Sequence, residues 1–158
     1  MLLSAFLLHR FGFAHYGLFD AEQHWHYDSP GLAVSALHIT PEQGFQVVHV
    51  LDDNCGCSRL AAVHAKVFAG ITTPVAMQQW YRSAQDVAAA GFTLPAVPAV
   101  LLFKQGQLVY AGPYASGPLC SVRDSFLVQV LSGQVQLEGL WLNGESNACR
   151  CLVSSLTK

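Results

Sequence analysis

Five cysteines carry the reactive chemistry of this chain: Cys55, Cys57, Cys120, Cys149 and Cys151. Four of them form two C-x-C pairs, Cys55-Gly56-Cys57 and Cys149-Arg150-Cys151. Such close spacing, twice in 158 residues, is not a chance pattern. The odd count leaves Cys120 over if the pairs are internal. A thiol attacks a disulfide or binds a metal only as its thiolate. The question is therefore what lowers the pKa of each one, and what brings them together.

The elements around the first pair answer part of that question. Residues 47–51, Val-Val-His-Val-Leu, read as a strand buried on both faces. Asp52-Asp53-Asn54 breaks it with turn chemistry. Leu60, Ala61, Val63, His64, Val67 and Phe68 then recur at helical spacing. Cys55 and Cys57 thus stand where a strand ends and a helix begins. Free N–H groups and a partial positive charge at that helix end stabilise a thiolate. Thiols so placed have pKa values of ~3.5 to ~7.5.

Side chains two apart on a helix point away from each other. Cys55 and Cys57 can bridge each other only if Cys55 lies outside the helix, with Gly56 supplying the backbone freedom. That small ring would be strained, hence oxidising, which suits an exchange or isomerase site more than a strong reductant. In this reading Cys55 attacks and Cys57 resolves. His49 could take a proton from the resolving thiol; the pattern favours a hydrogen-bonded strand histidine instead. His64, two helical turns beyond Cys57, is likewise read as structural.

The second pair has three readings. Cys149 and Cys151 could be a relay dithiol that exchanges with Cys55 and Cys57. They could join Cys55 and Cys57 as four thiolate ligands for zinc or a soft metal such as Cu(I). They could be a structural disulfide, or one half of bridges with Cys120. Zinc sites favour C-x-x-C spacing, so the metal reading comes second. Cys120, after Pro118, is either reactive or a buried free thiol.

Composition narrows the classes. Hydrophobic residues make up 52% and charged residues 11% of the chain, which excludes a disordered protein and hints at an extracytoplasmic or membrane setting. The formal net charge is −2, with no Lys/Arg cluster, so nucleic-acid binding lacks electrostatic support. Residues 1–19 form an apolar N-terminal segment, either part of a membrane anchor or a helix docked on the domain. Residues 20–158 form one domain. His24 and His26 flank Trp25 and read as surface histidines rather than metal ligands. Residues 32–38 suit a short strand or helix. Gly70 should cap the first helix. A short strand is expected at 74–77, a helix over 78–90 and a hairpin from strands 99–103 and 108–111. A helix over 119–132, a strand over 135–142 and a cysteine-bearing tail complete the chain.

Two segments carry a resemblance to thioredoxins. One is the strand ending in Cys55-Gly56-Cys57 at a helix start. The other is Val97-Pro98-Ala99-Val100-Leu101-Leu102-Phe103-Lys104-Gln105-Gly106-Gln107-Leu108-Val109, which looks like the thioredoxin hairpin led by a cis proline. The separation of Cys55 from Pro98 is also close to that family's. The resemblance covers roughly residues 45–133. It departs in its C-x-C for C-x-x-C, Asn54 for the aromatic before the first Cys, His49 for the buried acid and Ser58 for a lysine. A second C-x-C near the end is similar to bacterial thioredoxin-like proteins of unassigned function.

The resemblance implies an α/β, three-layer, thioredoxin-like sandwich: a central mixed sheet with helices on both faces. It implies that Cys55, Cys57 and Pro98 are catalytic, with His49 in the place of the family's acid. Val97 would pair with a substrate strand, and Asn54 and Gly56 would border the groove. The expected activity is thiol–disulfide oxidoreductase or isomerase-like, on protein thiols, with a redox partner and no cofactor. The expected location is periplasmic or otherwise extracytoplasmic, with attachment to the inner membrane through the N-terminus. A soft-metal binding protein and a binding module with structural disulfides are the alternatives. Fold alone does not choose between them.

Overall fold

A computed structural model describes residues 2–12, 15–27 and 29–156. The chain opens with helix α1 (Leu2–Gly12). Its side chains from Leu2 to Leu7 are exposed. No described helix is long and apolar enough to cross a membrane. Strand β1 (Tyr16–Leu18) follows, and Phe19 behind it is fully buried. Residues Val34–Leu37 form a 3-10 turn.

Strand β2 (Phe45–Val50) is buried at all six positions, as its apolar run requires. Helices α2 (Gly56–Ala61) and α3 (Val63–Gly70) follow, with a break at Ala62. Gly70 is the last helical residue and Ile71 the cap. Strand β3 (Met77–Arg82) comes next, then helix α4 (Ala84–Ala89) and the two-residue strand β4 (Ala96–Val97). The hairpin is β5 (Ala99–Lys104) and β6 (Gln107–Gly112). Helix α5 (Val128–Leu131), strands β7 (Trp141–Leu142), β8 (Asn147–Cys149) and β9 (Cys151–Leu152), and helix α6 (Val153–Leu156) end the chain.

The main sheet has five strands in the order β3-β2-β5-β6-β7. β2 runs parallel to β3 and antiparallel to β5, and β6 runs parallel to β7, so the sheet is mixed. Alternation along β2 and β5 sends side chains to opposite faces. Val48, Val50, Leu101 and Phe103 enter one core with Val34, Leu37 and Val87. Val47, Val100 and Leu102 enter the other with Phe68, Leu127 and Leu131. Each such side chain contributes roughly 1.5–3 kcal/mol of burial. Helices thus cover both faces, and the α/β sandwich with a central mixed sheet is the architecture of this chain.

Four expected elements differ, the first being the short strand at 74–77, of which only Met77 is in a strand, as the start of β3. Residues 78–82 belong to a strand, not a helix. β2 has an open edge, and Trp80 and Tyr81 suit a pleated surface better than a helix. The helix starts only after Ser83, whose hydroxyl accepts from Asp86 N while the Asp86 carboxylate accepts from Ser83 N. The expected helix over 119–132 is reduced to a 3-10 turn at Val122–Asp124 and to α5. Phe126 N donates to Tyr114 O and Leu127 N to Ser125 Oγ, drawing that backbone into a loop. The expected strand over 135–142 pairs only at Trp141 and Leu142, after a left-handed Gly139.

Candidate functional site: a four-cysteine cluster at β4

Cys55 is the N-cap of α2, with extended backbone at φ −107° and ψ 113°. It lies outside the helix, the position a Cys55–Cys57 bridge would have required, although no such bridge forms. The turn before it is built locally. Asn54 N donates to Asp52 Oδ1 at 2.8 Å, Cys55 N to Asp52 O at 3.0 Å and Asp52 N to Ser58 Oγ at 3.0 Å. Asn54 and Gly56 are exposed. Gly56 is an ordinary helical residue: its φ is not positive, and a Cβ there would meet nothing within 4 Å. The conformational role expected of it is not used.

The reason is the pairing. Cys55 and Cys57 do not bridge each other. Cys55 bonds Cys151, and Cys57 bonds Cys149. Moving two residues forward in the first motif moves two residues back in the second, which is an antiparallel ladder of sulfurs. No strained small ring is needed. Cys55 is fully buried, Cys57 and Cys151 nearly so, and Cys149 partly.

Two short strand pairs hold the tail in this register. β9 pairs antiparallel with β4, with Val97 opposite Cys151 and Ala96 opposite Leu152. β8 pairs antiparallel with β1, with Tyr16 opposite Cys149. Arg150 N donates to His15 O at 2.6 Å, and Arg150 Nε to Leu18 O at 2.9 Å. The Val97–Pro98 peptide bond is cis, and Cys55 Sγ lies 3.6 Å from the Val97 carbonyl oxygen. Cys55, Cys57, Val97 and Cys151 all belong to one apolar core. The structure therefore unites Cys55, Cys57, Val97, Pro98, Cys149 and Cys151.

His49 is elsewhere. It points into the core on the other side of the sheet, beside the rings of Phe68, Tyr81 and Tyr114. Its Nε2 donates to Gln79 Oε1 and its Nδ1 accepts from Tyr114 Oη, both at 2.6 Å. Gln79 Nε2 donates to Ala65 O, which fixes that amide and hence the tautomer. Burial holds the His49 pKa down, so the ring is neutral with both nitrogens engaged. It has no path to either thiol, and the structural reading is the one observed.

His64 is similar. Its Nε2 donates to Cys120 O at 2.9 Å, and burial lowers its pKa. Cys120 is free and buried, and burial pushes its thiol up to about 11, so it is not a reactive nucleophile. His24 faces Asp20 and Glu22, and His26 N donates to Ser29 Oγ. The pair holds surface turns.

Sequence reasoning missed His15. Its Nδ1 lies 3.6 Å from Cys151 Sγ, and its carbonyl oxygen lies 3.9 Å from Cys57 Sγ. Nothing in the local sequence marked it. The sequence reading also missed the cross-pairing of the two motifs, since it expected Cys55 and Cys57 to bridge each other.

A family model described as "Domain of unknown function (DUF6436)" matches residues 23–153. No curated protein and no solved structure matches the chain significantly. The matched segment begins beyond β1 and runs through both C-x-C motifs to the first residue of α6. The chain belongs to the DUF6436 family.

Proposed function

We propose that this DUF6436 domain is a thioredoxin-like thiol–disulfide exchange protein that acts on protein thiols outside the cytoplasm. The observation that carries this reading is the position of Cys55. Its sulfur sits at a helix start, 3.6 Å from the carbonyl of Val97 in the Val97–Pro98 corner, and is already joined to a strand paired with Val97. Cys55 is the exchanging sulfur. Cys151 and Cys57 are the groups placed to resolve its adducts, since all three sulfurs lie within 4.8 Å of one another. Two disulfides suit an oxidising compartment. The exposed apolar face of α1 suits attachment to a membrane. Turnover of a disulfide-bonded protein substrate with a dithiol reductant tests this. Cys55→Ser should lower the rate by more than an order of magnitude, with folding unchanged by circular dichroism. A rate equal to that of the unsubstituted chain would leave the disulfides purely structural.

One observation favours a second reading, soft-metal binding by the reduced protein. Cys55, Cys57 and Cys151 are buried within reach of a single ion, and His15 Nδ1 adjoins Cys151. Thiolates select Cu(I) and zinc. Anaerobic titration of reduced protein with Cu(I) or zinc should then show one ion per chain, lost in Cys57→Ser.

A further inference from the structure

The surface that Cys55 faces is occupied by this chain itself. β4 offers only Ala96 and Val97, and their partners are Leu152 and Cys151 of β9. Val153 N donates to Pro95 O at 3.0 Å, extending the same pairing. With β9 in place Cys55 is fully buried, so no visiting polypeptide reaches its sulfur. Yet the backbone pairing that holds β9 is short, with Leu152 and Val153 adding side-chain packing against the core. β9 is a two-residue strand in a two-stranded pair, and such pairs are marginal on their own. Whatever displaces it must offer what it offers. That is an extended backbone for Ala96 and Val97, a sulfur opposite Val97, and a second sulfur two residues earlier to meet Cys57.

We propose that the groove made by β4, Cys55 and Cys57 is a binding site for extended C-x-C segments, and that the chain's own tail is its resident occupant. This deepens the thiol-exchange reading above and rests on it. Exchange proceeds by strand replacement. The thiolate of an entering segment attacks Cys55 Sγ and forms a new S–S bond, and the bond to Cys151 breaks. The electron pair leaves on Cys151, which takes up the proton the entering thiol gave. A second entering thiol does the same at Cys57, expelling Cys149. Two disulfides are broken and two formed, so no external oxidant or reductant is consumed. The tail both defines the preferred ligand, two cysteines separated by one residue on an extended strand, and bars other thiols until it leaves.

The test uses the full chain as Cys149→Ser/Cys151→Ser, which frees Cys55 and Cys57. The probe is a synthetic peptide of residues 146–154, with Ser at Cys149 and a nitrothiobenzoate disulfide on Cys151. Cys55 thiolate attacks the peptide sulfur and expels coloured nitrothiobenzoate. Capture should be rapid, whereas the oxidised unsubstituted chain, with Cys55 and Cys57 both in disulfides, has no thiolate at the groove and should release no nitrothiobenzoate there. A peptide with Pro in place of Val153 lacks the N–H that Pro95 O accepts and should react several-fold more slowly. So should a peptide with the activated Cys moved by one residue. Adding Cys55→Ser should abolish capture, whereas adding Cys57→Ser should not. Equal rates for all three peptides, or capture through Cys57, would overturn the proposal. Should removal of both tail thiols impair folding, Val153→Pro in the otherwise native chain tests the same point, since Pro is tolerated at a first helical position. Its disulfides should be reduced several-fold faster by a dithiol, and an unchanged rate would count against strand replacement. Substrate turnover without peptide discrimination sinks this inference alone. Discrimination without turnover sinks the exchange activity and leaves the peptide site standing.

Discussion

His49 and His64 lie in one buried patch, with the rings of Phe68 and Tyr114 against both. Each is neutral because burial penalises its charged form first; for His49, the nearby His64 adds a smaller push in the same direction. The sign of the pH effect follows. The folded-state pKa of each is below its unfolded value of about 6.5, so the unfolded chain binds more protons in acid. Their stability contribution is complete above about pH 6.5 and is lost as pH falls toward the folded-state values, at up to about 1.4 kcal/mol per pH unit for each ring. Urea midpoints should therefore drop steadily between pH 7 and pH 5, with the slope reduced in His49→Gln. A flat profile would mean that neither ring is held neutral. His49 was legible in the sequence as a strand histidine. Its partners Gln79 and Tyr114 were not, because they come from other strands and loops.

Elements show where local sequence was sufficient and where it was not. β2, the start of α2 and the β5–β6 hairpin were all readable, because each carries its own apolar run and its own turn residues. β3 was not, because after Met77 its residues are polar and aromatic and become a strand only beside β2. The approach of β2 to the chain before β3 is tight. Gly44 has φ +95°, and a Cβ there would run into the carbonyl oxygen of Ala76, which accepts from Phe45 N. Gly44→Ala combines left-handed strain with that clash, so a loss of at least about 1–3 kcal/mol is expected in denaturant unfolding. A loss near zero would show that the β2–β3 junction yields freely. The capping box at Ser83 was the missed sign that the helix begins after that residue.

The whole molecule is closed by its tail. Cys55–Cys151 and Cys57–Cys149 span 96 and 92 residues, one loop nested inside the other. In the chain-entropy account, one bridge over such a loop contributes about 4–5 kcal/mol. The second then closes only a small ring of a few residues in a chain already joined, so it adds far less. Removing either bridge as a Cys-to-Ser pair should cost little, and removing both should cost about 4–5 kcal/mol. Chemical denaturation of Cys55→Ser/Cys151→Ser, Cys57→Ser/Cys149→Ser and the fourfold variant checks this. Equal, additive losses would mean that each bridge acts through its own native contacts instead.

By itself the sequence determined the α/β class, the strand–thiol–helix junction, the Pro98-led hairpin and the presence of two matched thiol pairs. These depend on neighbours along the chain: apolar periodicity, turn residues and spacing. The tertiary structure alone decided that the two pairs bond to each other, that β9 lies on Val97, that His15 joins the cluster and that His49 faces away from it. Those facts turn on contacts between residues more than fifty positions apart, or on which side of a sheet a side chain falls once its neighbours are in place. No local pattern encodes either.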